Sequence, residues 1–83
     1  MIPEINKQIA DIFSSKAASL ISKGERYRFR ALAYSRAARA IESLNEGLDD
    51  IYARSWLVGL QRINGIGNRL AHEIENELKK IEG

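Results

Sequence analysis

The segment that decides the fold is residues 60–71, which read Leu60-Gln61-Arg62-Ile63-Asn64-Gly65-Ile66-Gly67-Asn68-Arg69-Leu70-Ala71. Gly65 and Gly67 allow a sharp backbone turn and leave its outer surface free of side chains. Ile63 and Ile66 are expected to point back into the core and hold the turn in place. Backbone N–H groups at the start of the following helix then face outward, where an anion is favoured, and Arg69 adds a charged donor. The segment predicts two helices joined by a tight, anion-binding turn.

Two interpretations of this turn stay open from the glycines alone. It is either a plain connection between two helices or a helix-hairpin-helix that binds phosphate, and the apolar residues around the glycines favour the second. It is not a dinucleotide-binding fingerprint, because Leu70 stands where the third glycine would be and no strand pattern precedes it. A turn of this kind contacts phosphate oxygens and not base edges, so it predicts sequence-independent DNA binding. The helix-hairpin-helix is predicted over residues 56–81, with Leu60 to Leu78 as its central part.

Apolar residues recur along the chain at spacings of three and four, which is the helical period. Helices are predicted over residues 4–22, 27–44, 56–62 and 68–81, with a short acidic turn or helical piece at 48–54 and Ser55 as an N-cap. The residues predicted to face inward are Ile5, Ile9, Ile12, Phe13, Ala17, Leu20, Ile21, Phe29, Leu32, Ala33, Ala37, Ala40, Ile41, Leu44, Ile51, Tyr52, Trp56, Leu70, Ala71, Ile74, Leu78 and Ile81. The predicted fold is all-α: one compact domain of four to five helices, residues 1–83, containing one helix-hairpin-helix.

The composition excludes several classes of function. The 83 residues contain no cysteine, which excludes disulfides, thiolate zinc sites and a cysteine nucleophile. No apolar run has the length of a membrane span, and residues 1–16 lack the pattern of a signal peptide, so no membrane role is expected and the location is expected to be cytoplasmic. His72 is the sole histidine, which argues against a histidine metal site.

Charge is segregated along the chain although the formal net charge is only +2. Residues 23–39 contain six basic side chains and one acidic side chain, whereas residues 42–50 contain four acidic side chains. This distribution predicts a positive end that the net charge hides, and such a surface favours a polyanion such as DNA. The basic residues are Lys23, Arg26, Arg28, Arg30, Arg36 and Arg39.

Two segments together resemble the small amino-terminal domain of family X DNA polymerases, the group of DNA polymerase beta and lambda. They are Phe29-Arg30-Ala31-Leu32-Ala33-Tyr34-Ser35-Arg36-Ala37-Ala38 and Ile63-Asn64-Gly65-Ile66-Gly67-Asn68-Arg69-Leu70-Ala71. The resemblance extends over nearly the whole chain. It implies four helices around a helix-hairpin-helix that binds the 5′-phosphate side of a DNA gap. Some members also remove a 5′-deoxyribose phosphate by β-elimination.

The resemblance also implies which residues bind. The phosphate-binding set is Arg30, Tyr34, Arg69 and the amides near Gly65 and Gly67, to which Arg36 and Asn68 are added from the basic cluster and the helix start. A monovalent cation, K⁺ or Na⁺, would be held by the backbone carbonyls of Gln61, Ile63 and Ile66 and would bridge to a DNA phosphate. No other cofactor is expected.

One position departs from the catalytic members of that family. They use a lysine as the Schiff-base nucleophile where this chain has Glu73. An amine is required to condense with the sugar aldehyde, and a carboxylate would repel the substrate phosphate. The sequence therefore predicts a non-enzymatic, monomeric module that binds gapped or nicked DNA, 5′-phosphate ends or single-strand/duplex junctions in repair, with a repair protein as a further partner. The alternatives are a divergent lyase that uses Lys79 or Lys80 and a helical adaptor that binds protein.

Overall fold

Four α-helices account for most of the chain in the computed structural model, which describes residues 1–82. They are α1 (Glu4–Ser22), α2 (Arg28–Glu42), α3 (Leu48–Gln61) and α4 (Asn68–Glu82), with a single 3₁₀ turn at Glu25–Tyr27 before α2. No strand occurs in residues 1–82, so the predicted all-α fold is confirmed. Gly83, the last residue of the predicted domain, lies outside the described residues. Within residues 1–82, none of the helices combines the length and the apolar character that crossing a membrane requires.

The core forms where α1 packs along α2 and where α3 packs against α4. Phe13 of α1 is fully buried and meets the ring of Tyr34 edge-on, with 5.4 Å between the ring centroids. Small residues of α2 allow the helices to approach closely. The buried apolar residues are Ile9, Ala10, Phe13, Ala17, Ala31, Tyr34, Ala37, Ala38, Ile41, Leu48, Ile51, Leu60, Ile66, Ala71, Ile74 and Leu78. These residues come from all four helices, so the helices share one core.

The predicted inner face of α2 is partly wrong. Ala37 and Ile41 are buried as predicted, but Phe29 is 84% exposed, Leu32 is 43% exposed and Ala33 is exposed. The prediction assigned the largest apolar side chains to the core. The helix instead buries Ala31, Ala38 and Tyr34, because small side chains let α1 and α2 lie close together. The true face is turned away from Phe29, which leaves that ring in solvent.

Three further residues predicted to face inward are exposed. Ile21 and Ile81 lie at the last turns of α1 and α4, with 63% and 40% of their surface exposed. Trp56, predicted as a core anchor, is 62% exposed, and its indole Nε1 donates to the hydroxyl of Tyr52 at 3.0 Å. Helical geometry is interrupted at Trp56, where φ is 55° and ψ is −147°. This break divides α3 at the place where the sequence predicted two helical pieces, residues 48–54 and 56–62. The positive φ of Trp56 also turns the indole outward.

A buried polar residue that the sequence analysis did not single out joins three parts of the fold. Asn6 of α1 is fully buried, and its side-chain amide donates to the carbonyl of Glu46 at 2.9 Å. Its side-chain oxygen accepts the backbone N–H of Leu48 at 2.8 Å. Asn6 thus satisfies an N–H in the first turn of α3 from another helix, and it fixes the α2–α3 connection against α1.

Candidate nucleic-acid interface

The turn between α3 and α4 is built from a short series of backbone hydrogen bonds. The N–H of Ile66 donates to the carbonyl of Ile63 at 2.9 Å, and the N–H of Ala71 donates to the carbonyl of Gly67 at 2.9 Å. The second bond starts α4. Ile66 is buried, as predicted, and Ile63 is half-buried. The turn is therefore held from inside by apolar packing, which leaves its outer side free for a ligand.

Glycine suits positions 65 and 67 of the turn for two different structural reasons. Gly65 has φ +98°, a conformation that L side chains rarely adopt, and a Cβ built there would lie 3.6 Å from the Cβ of Ala40. Gly67 has no such backbone requirement, and a Cβ built there would meet no atom within 4 Å. The backbone conformation of the folded turn therefore requires glycine at position 65. At Gly67 the absent side chain leaves open space in front of the first turn of α4.

A groove of about 500 Å³ lies between this turn and the start of α2. Its lining residues are Phe29, Arg30, Ala33, Tyr34, Gly65, Gly67, Asn68, Arg69, Leu70 and Glu73. Six of the seven predicted phosphate-binding residues line it, although they come from segments more than thirty positions apart. The exception is Arg36, which is exposed and does not line the groove. Phe29 and Glu73 line it without having been predicted as binding residues.

The first turn of α4 presents backbone donors to the groove. The N–H groups of the first residues of a helix have no carbonyl partner within that helix. Here these residues are Asn68, Arg69 and Leu70, and all three line the groove. The side-chain oxygen of Asn68 is occupied, because it accepts a hydrogen bond from Nε2 of Gln61 at 2.7 Å. The free amides and the positive end of the helix dipole make this edge of the groove attractive to an anion.

Glu73 lines the groove and connects α4 with α1 and α2. Its carboxylate accepts the hydroxyl of Tyr34, at 2.7 Å to Oε1 and 2.8 Å to Oε2. Nζ of Lys16 in α1 lies 3.1 Å from Oε1, and Nε of Arg69 lies 4.0 Å from Oε2. From the sequence, Glu73 was notable only as the position of the missing lysine, and Lys16 was not predicted at all. The position of Lys16 beside Glu73 depends on a contact 57 residues away along the chain.

Burial and the neighbouring Glu73 raise the pKa of Tyr34 to about 12. Burial makes the larger contribution, because the phenolate loses its hydration, and the hydrogen bond to the carboxylate adds to it. Arg69 and Arg30 act in the opposite direction and do not overcome these two effects. The hydroxyl of Tyr34 is therefore a permanent donor near neutral pH, and in this structure its proton is directed to Glu73.

The carbonyls proposed for a monovalent cation belong to the last residue of α3 and to the turn that follows it. The carbonyl of Ile63 accepts the N–H of Ile66, which leaves it one lone pair, while those of Gln61 and Ile66 accept no backbone hydrogen bond from residues 1–82. Oxygen donors of this kind suit a hard cation. Among residues 1–82 no group of three or more His, Asp or Glu side chains could hold a metal ion. His72 instead places Nδ1 2.8 Å from the carbonyl of Asn68.

The lysines considered for the enzymatic alternative lie away from the groove. Nζ of Lys80 is 3.7 Å from Oε2 of Glu77, and neither Lys79 nor Lys80 lines the groove. The amine that does approach Glu73 is that of Lys16, which contacts Glu77 as well, at 3.9 Å. An ammonium group held between two carboxylates has no free electron pair with which to attack an aldehyde.

Comparison with known proteins gives one match. Residues 4–82 match the family model described as "Helix-hairpin-helix domain", which spans all four helices and the turn. No curated protein and no solved structure matched the chain. The match confirms the helix-hairpin-helix predicted from residues 60–71. The description does not mention polymerases, so the finer resemblance to family X polymerases stays a prediction.

Proposed function

The chain belongs to the helix-hairpin-helix domain family, and on that premise we propose that it binds DNA through the phosphate backbone with little dependence on base sequence. The observation that carries the proposal is the meeting of two donor sets in one groove. Free amides of the first turn of α4 form one set, and the guanidinium groups of Arg30 and Arg69, which both line the groove, form the other. Charged guanidinium groups and helix N-terminal amides are the donors that bind phosphate oxygens in proteins.

The exposed ring of Phe29 favours DNA that contains an unpaired base. The side chain is 84% exposed, lines the groove and directly precedes Arg30. An aromatic ring beside a basic groove is a platform on which an unpaired base can stack, independently of its identity. Bases in a continuous duplex are already stacked on their neighbours. We therefore propose gapped or nicked DNA and single-strand/duplex junctions as the preferred ligands, within a repair process.

A fluorescence-anisotropy titration tests this proposal. We expect DNA with a one-nucleotide gap to bind more tightly than the continuous duplex of the same sequence. About three or four neutralised phosphates give a log–log salt slope of roughly −3. Replacing Phe29 with alanine is expected to weaken binding to the gap about tenfold, because one base–aromatic stack is lost. The continuous duplex should lose much less.

Leu32→Ala is the matched control, because it truncates another exposed apolar side chain of α2 that does not line the groove. Equal weakening by both variants would contradict a stacking role for Phe29. A wild-type protein that binds no DNA even at low salt would overturn the DNA proposal, and the interaction-module alternative would then account better for the exposed apolar residues.

Replacing Gly67 with valine is expected to separate binding from folding. A Cβ at this position meets no atom of the protein within 4 Å, so the free energy of unfolding should fall by only about 1 kcal/mol, the typical size of a helix N-cap exchange. It would stand in front of the amides of α4 and keep a phosphate away, so the affinity for DNA should fall at least about tenfold, the loss of one charge-assisted contact. Thermal unfolding and anisotropy on the same samples measure both quantities.

Gly65→Val is the contrasting variant. It forces a β-branched residue to φ +98° and should destabilise the fold by about 1–3 kcal/mol. If Gly67→Val folds and binds DNA as tightly as the wild type, the first turn of α4 is not the phosphate site. If Gly67→Val is as unstable as Gly65→Val, the open space at Gly67 has been misinterpreted.

We further propose that the domain is a non-catalytic, family X-like module. The family resemblance supplies the DNA class, and the support from this chain is that Arg30, Tyr34 and Arg69 line one groove. A carboxylate at Glu73 and the ion-paired Lys16 and Lys80 argue against a Schiff-base lyase. A K⁺ or Na⁺ ion at the carbonyls of Gln61, Ile63 and Ile66 would add a cation bridge to a DNA phosphate.

A further inference from the structure

The carboxylate of Glu73 engages one donor of the groove, the hydroxyl of Tyr34, and lies near the positive charges of Arg69 and Lys16. It accepts a hydrogen bond from the hydroxyl of Tyr34 at 2.7 Å, lies 3.1 Å from Nζ of Lys16 and lies 4.0 Å from Nε of Arg69. The side chain is 20% exposed, so its charge is only partly screened by solvent. A fixed negative group therefore lies in the groove beside the first turn of α4.

This carboxylate changes the charge that the groove offers to a ligand. Arg30 and Arg69 contribute two positive charges to the lining of the groove, and the carboxylate of Glu73 offsets one of them. Lys16 does not line the groove, and its ammonium group pairs with Glu73 at 3.1 Å. Glu77 draws on Lys16 as well, with its carboxylate 3.9 Å from Nζ. The hydroxyl of Tyr34 has a single proton, and while that proton is donated to Glu73 it is not available to a phosphate. The groove attracts anions, but with fewer free donors than its basic residues suggest.

Two kinds of phosphate occur at an interruption in DNA, and they differ in charge. An internal phosphodiester carries one negative charge, whereas a terminal phosphate monoester has a second pKa of about 6 and is close to a dianion at neutral pH. Repulsion from a fixed carboxylate is proportional to the charge on the ligand, so it is twice as large for the dianion. The dianion also needs more donors than the monoanion, and the donor of Tyr34 is already in use.

We propose that Glu73 is a specificity-determining residue that makes the groove accept the monoanionic phosphodiester of a DNA strand and disfavours selective capture of a dianionic terminal phosphate. The inference rests on the DNA binding proposed above and replaces the preference for 5′-phosphate ends that the family resemblance implies. In this protein a gap is recognised by its exposed base and by the phosphodiesters beside it. The end group contributes little.

The test compares gapped DNA with and without a 5′-phosphate at about pH 8, where the terminal group is a dianion. For the wild type we expect the two affinities to agree within about twofold, because Glu73 repels the dianion, accepts the hydrogen bond of Tyr34 and pairs with Arg69. These three effects together offset the extra attraction of the dianion to the basic residues. Glu73→Gln removes the charge and keeps an oxygen that can accept the hydroxyl of Tyr34. It should raise affinity about threefold for the unphosphorylated gap and about tenfold for the phosphorylated gap, as expected for one charge a few ångströms away in a watery groove.

Glu75→Gln is the matched control. Glu75 is a half-buried carboxylate of the same helix that accepts the hydroxyl of Tyr52 and does not line the groove. Its substitution makes the same change in net charge and should leave the ratio of the two affinities unaltered. An equal effect of both substitutions would overturn the inference, because a general change in charge would then explain it. Thermal unfolding of each variant verifies that the fold is kept.

The wild-type protein alone is sufficient to refute the inference. A preference of about tenfold or more for the phosphorylated gap would show that Glu73 does not suppress capture of the terminal phosphate. Binding of both DNAs with a ratio that Glu73→Gln leaves unchanged would overturn the inference and leave the proposed function in place. Failure of the wild type to bind any DNA would overturn the proposed function and the inference together.

Discussion

Replacing Asn6 with alanine is expected to lower the free energy of unfolding by about 3 kcal/mol, because two buried backbone groups lose their partners. The N–H of Leu48 and the carbonyl of Glu46 are both satisfied by this side chain, at 2.8 and 2.9 Å. Asn6 is fully buried, so water does not replace the lost bonds without entering the core. A domain of this length has a total stability of about 4–12 kcal/mol. The substitution should therefore remove a large part of it.

Chemical denaturation followed by circular dichroism measures the loss, and Gln8→Ala is the matched control. Gln8 lies on the exposed side of α1, and alanine there should leave stability unchanged or slightly higher, since it is the better helix former. Asn6→Asp distinguishes the two bonds. It keeps an acceptor for Leu48 but faces the carbonyl of Glu46 with a second oxygen, so it should destabilise at least as much as alanine. A loss of less than about 1 kcal/mol in Asn6→Ala would contradict the bridging role.

The helix-hairpin-helix was predictable because its signal is local. Two glycines two positions apart, with apolar residues around them, indicate a turn of one shape, and the family match and the backbone of the structure agree with it. The break in α3 near Ser55 was predictable for the same reason. The exposure of the Trp56 side chain at this break was not predictable, because the positive φ of Trp56 turns the indole away from the core.

Burial on α2 was predicted less well. Hydropathy assigns the most apolar side chains of a helix to the core, whereas α2 packs against α1 through its small side chains. Phe29 and Leu32 are more apolar than alanine, yet Ala31 and Ala38 are buried, since they let α1 approach. The same error hid a functional candidate, because a phenylalanine assigned to the core is not considered as a surface for a base. Its exposure beside Arg30 becomes apparent only once the register of α2 is known.

The chemistry inside the groove depends on contacts between distant segments. Tyr34 and Glu73 are 39 positions apart, and Lys16 and Glu73 are 57 positions apart. No periodicity within one helix indicates that these side chains meet. The sequence did indicate that a carboxylate at position 73 opposes a phosphate, and the structure adds which donors it holds. Asn6 is a similar case, since a polar residue on an apolar helix face gives no sign of its partners.

The largest effect on DNA binding is expected from removing both arginines of the groove. The double variant Arg30→Ala/Arg69→Ala loses two charge-assisted phosphate contacts of about 1.5 kcal/mol each, so the affinity should fall about hundredfold. Each lost contact also lowers the number of released counterions, and the salt slope should become shallower by about 2. Both side chains are exposed, and the 4.0 Å pair of Arg69 with Glu73 is a surface pair, so folding should be nearly unaffected.

Arg26→Ala/Arg39→Ala supplies the matched control, because it makes the same change in net charge at exposed arginines that do not line the groove. A general positive field predicts equal weakening by the two double variants, whereas a phosphate site in the groove predicts a much larger loss for Arg30 and Arg69. Titrations at several salt concentrations separate these cases, since a field contribution disappears as salt rises. Equal losses of affinity and equal salt slopes would show that DNA binds to the basic end of the molecule as a whole and not to the groove. A selective loss at Arg30 and Arg69, with the slope reduced, would make the groove the place where the DNA backbone is held.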